Sequence, residues 1–172
     1  MSENERKIIK NEQLEIEIPF EEVRENNNTI PLYNFYAAAG SFSEMQDEKE
    51  FSLILVPERY TTEDYFACKV IGESMNKIIP NNSICIFKKY FAGSRSGKIL
   101  LIENIDSFDP DFNSAFTVKT YSSKKTISEE GYQHKEILLK PNSYDNSFKD
   151  IVVNEGNSKE MKVHGEFVCV IN

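Results

Sequence analysis

The chain has 172 residues, 40% of them hydrophobic, which is enough for one domain with a buried core and an arm, and too little for two independent domains. A formal net charge of −8 repels a phosphate backbone and disfavours direct binding to nucleic acid. The sequence has neither a run of about 18 apolar residues nor the apolar centre of a signal peptide. We therefore expect a cytoplasmic protein without a membrane anchor.

The first 36 residues are predicted to form an acidic arm or linker. Residues 1–30 contain eight Glu against four Lys or Arg, which accounts for half of the net charge. Apolar and acidic residues alternate in LEIEIPF, residues 14–20, which predicts a short exposed strand. Nothing basic and amphipathic lies in this segment, and it is too short for a helix-turn-helix or winged-helix domain. We therefore expect no DNA-binding head.

Residues 37–50 follow as a junction and an acidic loop. The run YAAAG at residues 36–40 sets three alanines against a glycine, and EMQDEKE comes after it. Taken alone, such a run is typical of a loose linker or of the fraying end of a strand.

From residue 51 to residue 172 the sequence predicts a mostly antiparallel β domain. Short apolar runs alternate with segments rich in Gly, Pro, Asn, Asp and Ser. Helix is predicted only in short pieces, around PERYTTEDY and SMNKII. The predicted strands are FSLILVP, YFACKVIG, SICIFKKY, KILLIEN, AFTVKTY, EILLKP, DIVVN and MKVHGEFVCVI.

The three cysteines predict core thiols in a reducing compartment. Cys68, Cys85 and Cys169 each lie inside an apolar run, and no CxxC pair is present. The spacing gives no zinc-ligand pattern, so we expect neither a metal nor another cofactor.

Ser74 is the first candidate for chemistry. It lies at a turn after a predicted strand and close to Gly72, where a hydroxyl and the neighbouring backbone N–H groups can face a substrate carbonyl. A plain polar turn residue is the alternative. Its base is not an obvious histidine, because His134 lies in the hydrophilic stretch GYQHKE and His164 has no evident acid near it in the sequence.

Lysine is the other base that serine hydrolases use, provided that the amine is neutral, which burial without a counter-ion favours. Lys119 fits best, since it interrupts the apolar run AFTVKTY and has no acidic residue within four positions. Lys69 and Lys98 each have an acidic residue within five positions. Strand alternation puts Lys119 on the face of Thr117, and a solvent-facing lysine is the alternative.

The segments YAAAG, VIGESMNKIIPNNSICIF, GKILLIEN, FTVKTY, ILLKPNS and GEFVCVI occur in the order and approximate spacing of the LexA-like self-cleaving serine peptidases. This resemblance runs from about Pro31 to Asn172. It implies a β-rich, LexA/UmuD-like fold that forms a homodimer. Two departures are the missing DNA-binding head and the turn PNNS, which replaces the frequent Asp-Gly pair of the family.

The resemblance also implies the residues of the site. Ser74 corresponds to the nucleophile and Lys119 to the general base, and the backbone N–H groups of Glu73 and Ser74 correspond to the oxyanion donors. The scissile bond falls on Ala39–Gly40. In an extended segment Ala37 and Ala39 share one face, and Gly40 permits the kink that brings the carbonyl to Ser74.

The implied function is a regulatory autopeptidase in a DNA-damage (SOS-like) or phage-defence response. A RecA-type filament is the expected activator, and a polymerase or a defence-system protein is the expected partner. A catalytically silent, dimeric interaction module of the same fold is the alternative, and a lysine that points to solvent would favour it. A signal peptidase shares the serine-lysine chemistry but needs a membrane anchor.

Overall fold

The computed structural model describes residues 5–10, 14–19, 28–33, 51–104, 116–127, 133–153 and 161–171. Within these ranges the protein is almost entirely β-structure, as the sequence predicts. The strands are β1 Glu5–Lys10, β2 Leu14–Pro19, β3 Thr29–Tyr33, β4 Phe51–Leu55, β5 Tyr65–Val70, β6 Ser83–Lys89, β7 Ile99–Asn104, β8 Phe116–Ile127, β9 Gln133–Lys140, β10 Ile151–Val153 and β11 Met161–Ile171.

Each of the eight apolar runs predicted as a strand after residue 50 forms a strand, and together they are β4 to β11. The strand predicted over 14–20 is present as β2. Helical structure in the described ranges is limited to short turns, including a 3-10 turn at Glu58–Tyr60 inside PERYTTEDY. No helix in that part of the chain is long and apolar enough to cross a membrane.

The described strands form one sheet in the order β10-β9-β8-β7-β11-β6-β5-β3-β4-β1-β2. Eight of its ten pairings are antiparallel. The two parallel pairings, β3 with β5 and β1 with β4, both involve the N-terminal strands. The prediction of a mostly antiparallel sheet is therefore confirmed.

Buried aliphatic and aromatic side chains form three clusters along the sheet. One lies around Phe66 and Phe87, whose rings stack with centroids 5.7 Å apart. A second is centred on Leu100 and Tyr121, and a third on Ile54 and Ile86. The first cluster contains Met75 and Ile79 from the turn after β5, so the position of that turn is fixed by core packing.

Strand β3 belongs to the sheet although it lies within residues 1–36, the segment predicted as an arm. Ile30 and Leu32 are buried in the third cluster, while Thr29, Pro31 and Tyr33 are half-buried. The division of the chain at residues 36 and 50 stays a prediction.

Two of the three thiols lie deep in the core. Cys68 on β5 and Cys85 on β6 are register partners, and both are fully buried. Burial, and secondarily the neighbouring thiol, raises the pKa of Cys68 well above its usual value, and burial raises the pKa of Cys85 to about 12. Cys169 on β11 is half-buried and has Sγ 3.8 Å from the Tyr60 hydroxyl.

Thiol titration tests this arrangement. At pH 8 we expect Ellman's reagent to modify at most one thiol per native chain, Cys169, because only the thiolate reacts and the other two thiols are buried and protonated. In denaturant all three should react. Rapid modification of two or three thiols in the native protein would contradict the packing of β5 against β6.

Candidate active site

The turn that carries Ser74 follows β5 and leads into β6. Gly72 has a φ of 122°, which glycine adopts without the strain that a side chain would cause. Its N–H donates to Asn81 Oδ1 at 2.8 Å, which closes the base of the turn. Met75 and Ile79 are buried below it. Ser74 is therefore held between a tight backbone bend and two core anchors.

The turn PNNS completes this connection without the Asp-Gly pair of the family. Asn82 has a φ of 65°, in the left-handed region that favours glycine and that asparagine tolerates better than most residues. The Ser83 hydroxyl donates to the Pro80 carbonyl at 2.6 Å. Asn82 thus supplies the backbone conformation for which a glycine is normally used.

A second segment, after β9, is hydrogen-bonded to the turn that carries Ser74. The Asn142 N–H donates to the Ser74 carbonyl at 2.8 Å, and the Asn142 carbonyl accepts from Lys77 N at 3.1 Å. Asn76 extends this contact, since its Nδ2 donates to Glu73 Oε2 at 2.8 Å and its Oδ1 accepts from Tyr144 N at 2.9 Å. These bonds fix the backbone on both sides of Ser74.

Lys119 lies on β8, which is buried on both faces at this point. Phe116 and Val118 pack into the first cluster. Thr117 and Lys119 share the other face, as strand alternation predicts, but that face is also closed, and Lys119 is only 3% exposed. A solvent-facing lysine is the usual result of such alternation, and here the turn that bears Ser74 provides a hydrogen-bond partner instead.

The described structure brings Ser74 and Lys119 together. Lys119 Nζ lies 2.8 Å from Ser74 Oγ and 2.9 Å from Thr117 Oγ1, with the amine as donor in both bonds. Ser74 and Thr117 are 3% and 4% exposed, so this cluster of two hydroxyls and one amine is largely shielded from water. A neutral amine at this distance can accept the serine proton as the hydroxyl attacks a carbonyl.

The remaining predicted residues fall into two groups. Glu73 is exposed and directly precedes the serine, so the two backbone amides assigned to the oxyanion lie in the same turn. Ala37, Ala39 and Gly40 lie outside the described residues. Their role as docking residue and scissile bond stays a prediction.

The structure does describe Tyr33, the last such residue before the alanines. Strands β3 and β5 are parallel, with Tyr33 opposite Cys68, so both strands leave the sheet at the same end. Ala39 is six residues beyond Tyr33, and Ser74 is six residues beyond Cys68. Six extended residues span roughly 20 Å. The length of chain between Tyr33 and Ala39 is therefore compatible with the predicted attack by Ser74.

The other candidate bases have different surroundings. Lys69 is exposed, and Lys98 Nζ pairs with Glu166 Oε2 at 2.5 Å near the surface. His164 Nε2 lies 2.8 Å from Glu103 Oε2, an acid distant in sequence that the local pattern did not reveal. His134 is near the start of β9, opposite Thr126.

Sequence reasoning missed three residues that support the site. Strand alternation indicates only the face on which Thr117 lies, although a hydroxyl two positions before a buried lysine lies on the same face and can bind its amine. Asn76 and Asn142 left no usable signal. Their contacts join segments 60 to 70 residues apart, and the critical groups of Asn142 are backbone atoms.

The chain also matches a known protein family. The family model described as Peptidase S24-like matches residues 31–168, which include residues 31–33 of β3 and almost all of the sheet after it. No curated protein matches the sequence.

The His164–Glu103 pair predicts a pH dependence of stability. Burial lowers the pKa of His164 below its usual value, and Glu103 only partly opposes this. The unfolded chain therefore binds a proton at His164 more readily than the folded chain does. The contribution of His164 to the free energy of unfolding is complete above the ordinary pKa of histidine and is lost as the pH falls below it. We expect the free energy of unfolding to fall less steeply between pH 7 and pH 5 in His164→Gln, whose amide can still donate to Glu103.

Urea unfolding of both proteins across that pH range measures the two slopes. Equal slopes would contradict the assignment of a buried, neutral imidazole at this position.

Proposed function

Because the chain belongs to the Peptidase S24-like family, with a LexA/UmuD-type peptidase fold, we propose that it is a serine-lysine autopeptidase that cuts its own Ala39–Gly40 bond. The observation that carries this proposal is the buried contact of 2.8 Å between Lys119 Nζ and Ser74 Oγ. A lysine that points to solvent would favour the silent-module alternative, whereas Lys119 is only 3% exposed.

The reaction starts when Ser74 Oγ attacks the carbonyl carbon of Ala39. Neutral Lys119 accepts the hydroxyl proton, and the carbonyl oxygen becomes an oxyanion. The N–H groups of Glu73 and Ser74 are the proposed donors to that oxyanion. Hydrogen bonds from Asn142 and Asn76 hold this turn in place, which would keep the two proposed N–H donors fixed as charge develops on the oxyanion.

Collapse of the tetrahedral intermediate breaks the bond between Ala39 and Gly40. The ammonium of Lys119 gives its proton to the leaving amine of Gly40, and Ala39 remains as an ester on Ser74. Water then attacks the ester, with Lys119 again as base, and Ser74 is restored. The products are residues 1–39 and 40–172.

The substrate is tethered, so its effective concentration is high and little additional recognition is needed. The parallel pairing of β3 with β5 supports this, since Tyr33, the last described residue before the segment, lies at the end of the sheet from which β5 leads to Ser74. Small side chains at Ala37 and Ala39 suit a shallow cleft.

We assign a regulatory role to this cleavage. A net charge of −8 disfavours direct contact with DNA, so the proposed output is a protein interaction, as a homodimer that engages a polymerase or a defence-system protein. The proposed activator is a RecA-type filament, which favours the docked state of the cleavage segment. The resemblance to LexA-like proteins supports a DNA-damage or phage-defence setting.

Substitution of the two central residues tests the proposal. The purified chain should split faster at pH 10 than at pH 7, because alkali increases the neutral fraction of lysine amines. Ser74→Ala and Lys119→Ala should each slow the reaction by at least about 1,000-fold. Lys69→Ala, at an exposed lysine on β5, is the matched control and should cleave like the parent.

Intact-mass time courses at both pH values, with and without activated RecA filaments, provide the measurement. A chain that stays whole under all of these conditions would refute self-cleavage. Equal cleavage in Ser74→Ala would refute the role of the serine.

Thr117 is a positioning residue in this scheme, since its hydroxyl binds the amine of the base. Thr117→Val removes that bond, and we expect the cleavage rate to fall by about 10- to 100-fold, because small displacements of a catalytic group are costly. Thr117→Ser keeps the hydroxyl and should restore most of the rate. If Val and Ser variants cleave alike while both remain folded by circular dichroism, Thr117 has only a packing role.

A further inference from the structure

Strand β4 lies between two strands from the other side of the proposed cut. Its neighbours are β3, which runs antiparallel to it, and β1, which runs parallel to it. Residues 1–39 contain both neighbours, and residues 40–172 contain β4. Hydrolysis of Ala39–Gly40 breaks the connection between these strands and leaves their pairing untouched.

Two side chains of β3 are as deeply buried as those of the core. Ile30 is 1% exposed and Leu32 is 9% exposed. They pack in one cluster with Ile54 on β4 and Val56 just after it, and with Ala67 on β5 and Ile86 on β6. Removal of β3 would expose this apolar surface to water, which opposes its release.

The backbone of β3 is paired along both edges. Residues 29–33 pair in register with residues 55–51 of β4, and Leu32 and Tyr33 pair with Ala67 and Cys68 of β5. Pro31 biases the preceding residue toward an extended conformation, so the segment loses less freedom when it pairs.

From these contacts we propose that the cleft between β4 and β5 is a peptide-binding site for an extended segment with aliphatic side chains at alternate positions. Its resident ligand is the chain's own residues 28–33. Main-chain pairing supplies affinity, and the two pockets for Ile30 and Leu32 supply specificity, as in strand addition to a sheet edge. The natural use of this site as a trap for a product rests on the proposed self-cleavage.

Cleavage then yields a nicked, two-chain protein in which fragment 1–39 stays bound. Release of the fragment is a separate step, and it opens an apolar cleft flanked by two unpaired strand edges. A response that requires the free cleft is therefore delayed beyond the cut itself, and fragment concentration opposes it by mass action.

The test separates binding from self-cleavage. In full-length Ser74→Ala, residues 43–49 are replaced by the seven-residue site of a sequence-specific protease, and the chain is cut there. We expect one peak in size-exclusion chromatography and one two-chain mass in native mass spectrometry, whereas denaturing conditions give two fragments. Separate elution of the fragments from folded protein would overturn the proposal.

Recognition is tested by substitutions in the fragment, so the sequence of the remainder is the same in every sample. The nicked protein is diluted from urea with an equimolar, isotopically labelled copy of its N-terminal fragment, and native mass spectrometry gives the labelled share of the complex. A parent copy should take about half of the sites. A fragment with both Ile30→Asp and Leu32→Asp should be incorporated into the complex at least about tenfold less. Loss of two buried aliphatic side chains is sufficient for this, since a tenfold change in affinity corresponds to only about 1.4 kcal/mol.

Thr29→Asp is the matched control on the opposite face of β3 and should enter like the parent. Equal incorporation of all three copies would overturn the proposed specificity. Self-cleavage is scored independently by the denatured mass of the unmodified chain. An intact chain there refutes the proposed function and leaves the binding site standing.

Discussion

The hydrogen bond between a buried lysine amine and a serine hydroxyl is the interaction on which the rest of the structure depends. Lys119 is held in the core because β8 is covered on both faces and because Ser74 and Thr117 give its amine oxygen partners. The serine in turn keeps its place because the turn is fixed by Gly72 below and by Asn142 outside. A polar cluster with so little contact with water is costly to bury, and sites of chemistry are where proteins retain such clusters.

The same sheet connects this cluster to its proposed substrate and to the fate of the product. Tyr33, the last described residue before the alanine segment, pairs with Cys68 six residues before Ser74, and β3 pairs with β4 on its other side. In the proposed reaction one topology therefore serves two purposes. It brings the start of the tethered substrate to the end of the sheet that leads to Ser74, and it keeps the cut strand bound through Ile30 and Leu32.

Much of the fold could be predicted from the sequence, because short apolar runs between turn residues determine strands locally. The runs around Cys68, Val118 and Cys169 all became strands in the predicted places. Periodicity also put Lys119 on the face of Thr117, but it could not show that this face is closed, since the covering turn comes from a distant part of the chain. Pairings such as His164 with Glu103, and the incorporation of β3 into the sheet, depend on contacts across the fold that no local pattern encodes.

The masses of the fragments formed by the unmodified chain at about pH 10 test the central claim most directly. Self-cleavage by Ser74 and Lys119 predicts two products, Met1–Ala39 and Gly40–Asn172, both absent from Ser74→Ala treated in parallel. A chain that stays intact would contradict it. Cleavage at another bond, or the same products from the serine variant, would contradict the assignment of Ser74 and Ala39–Gly40.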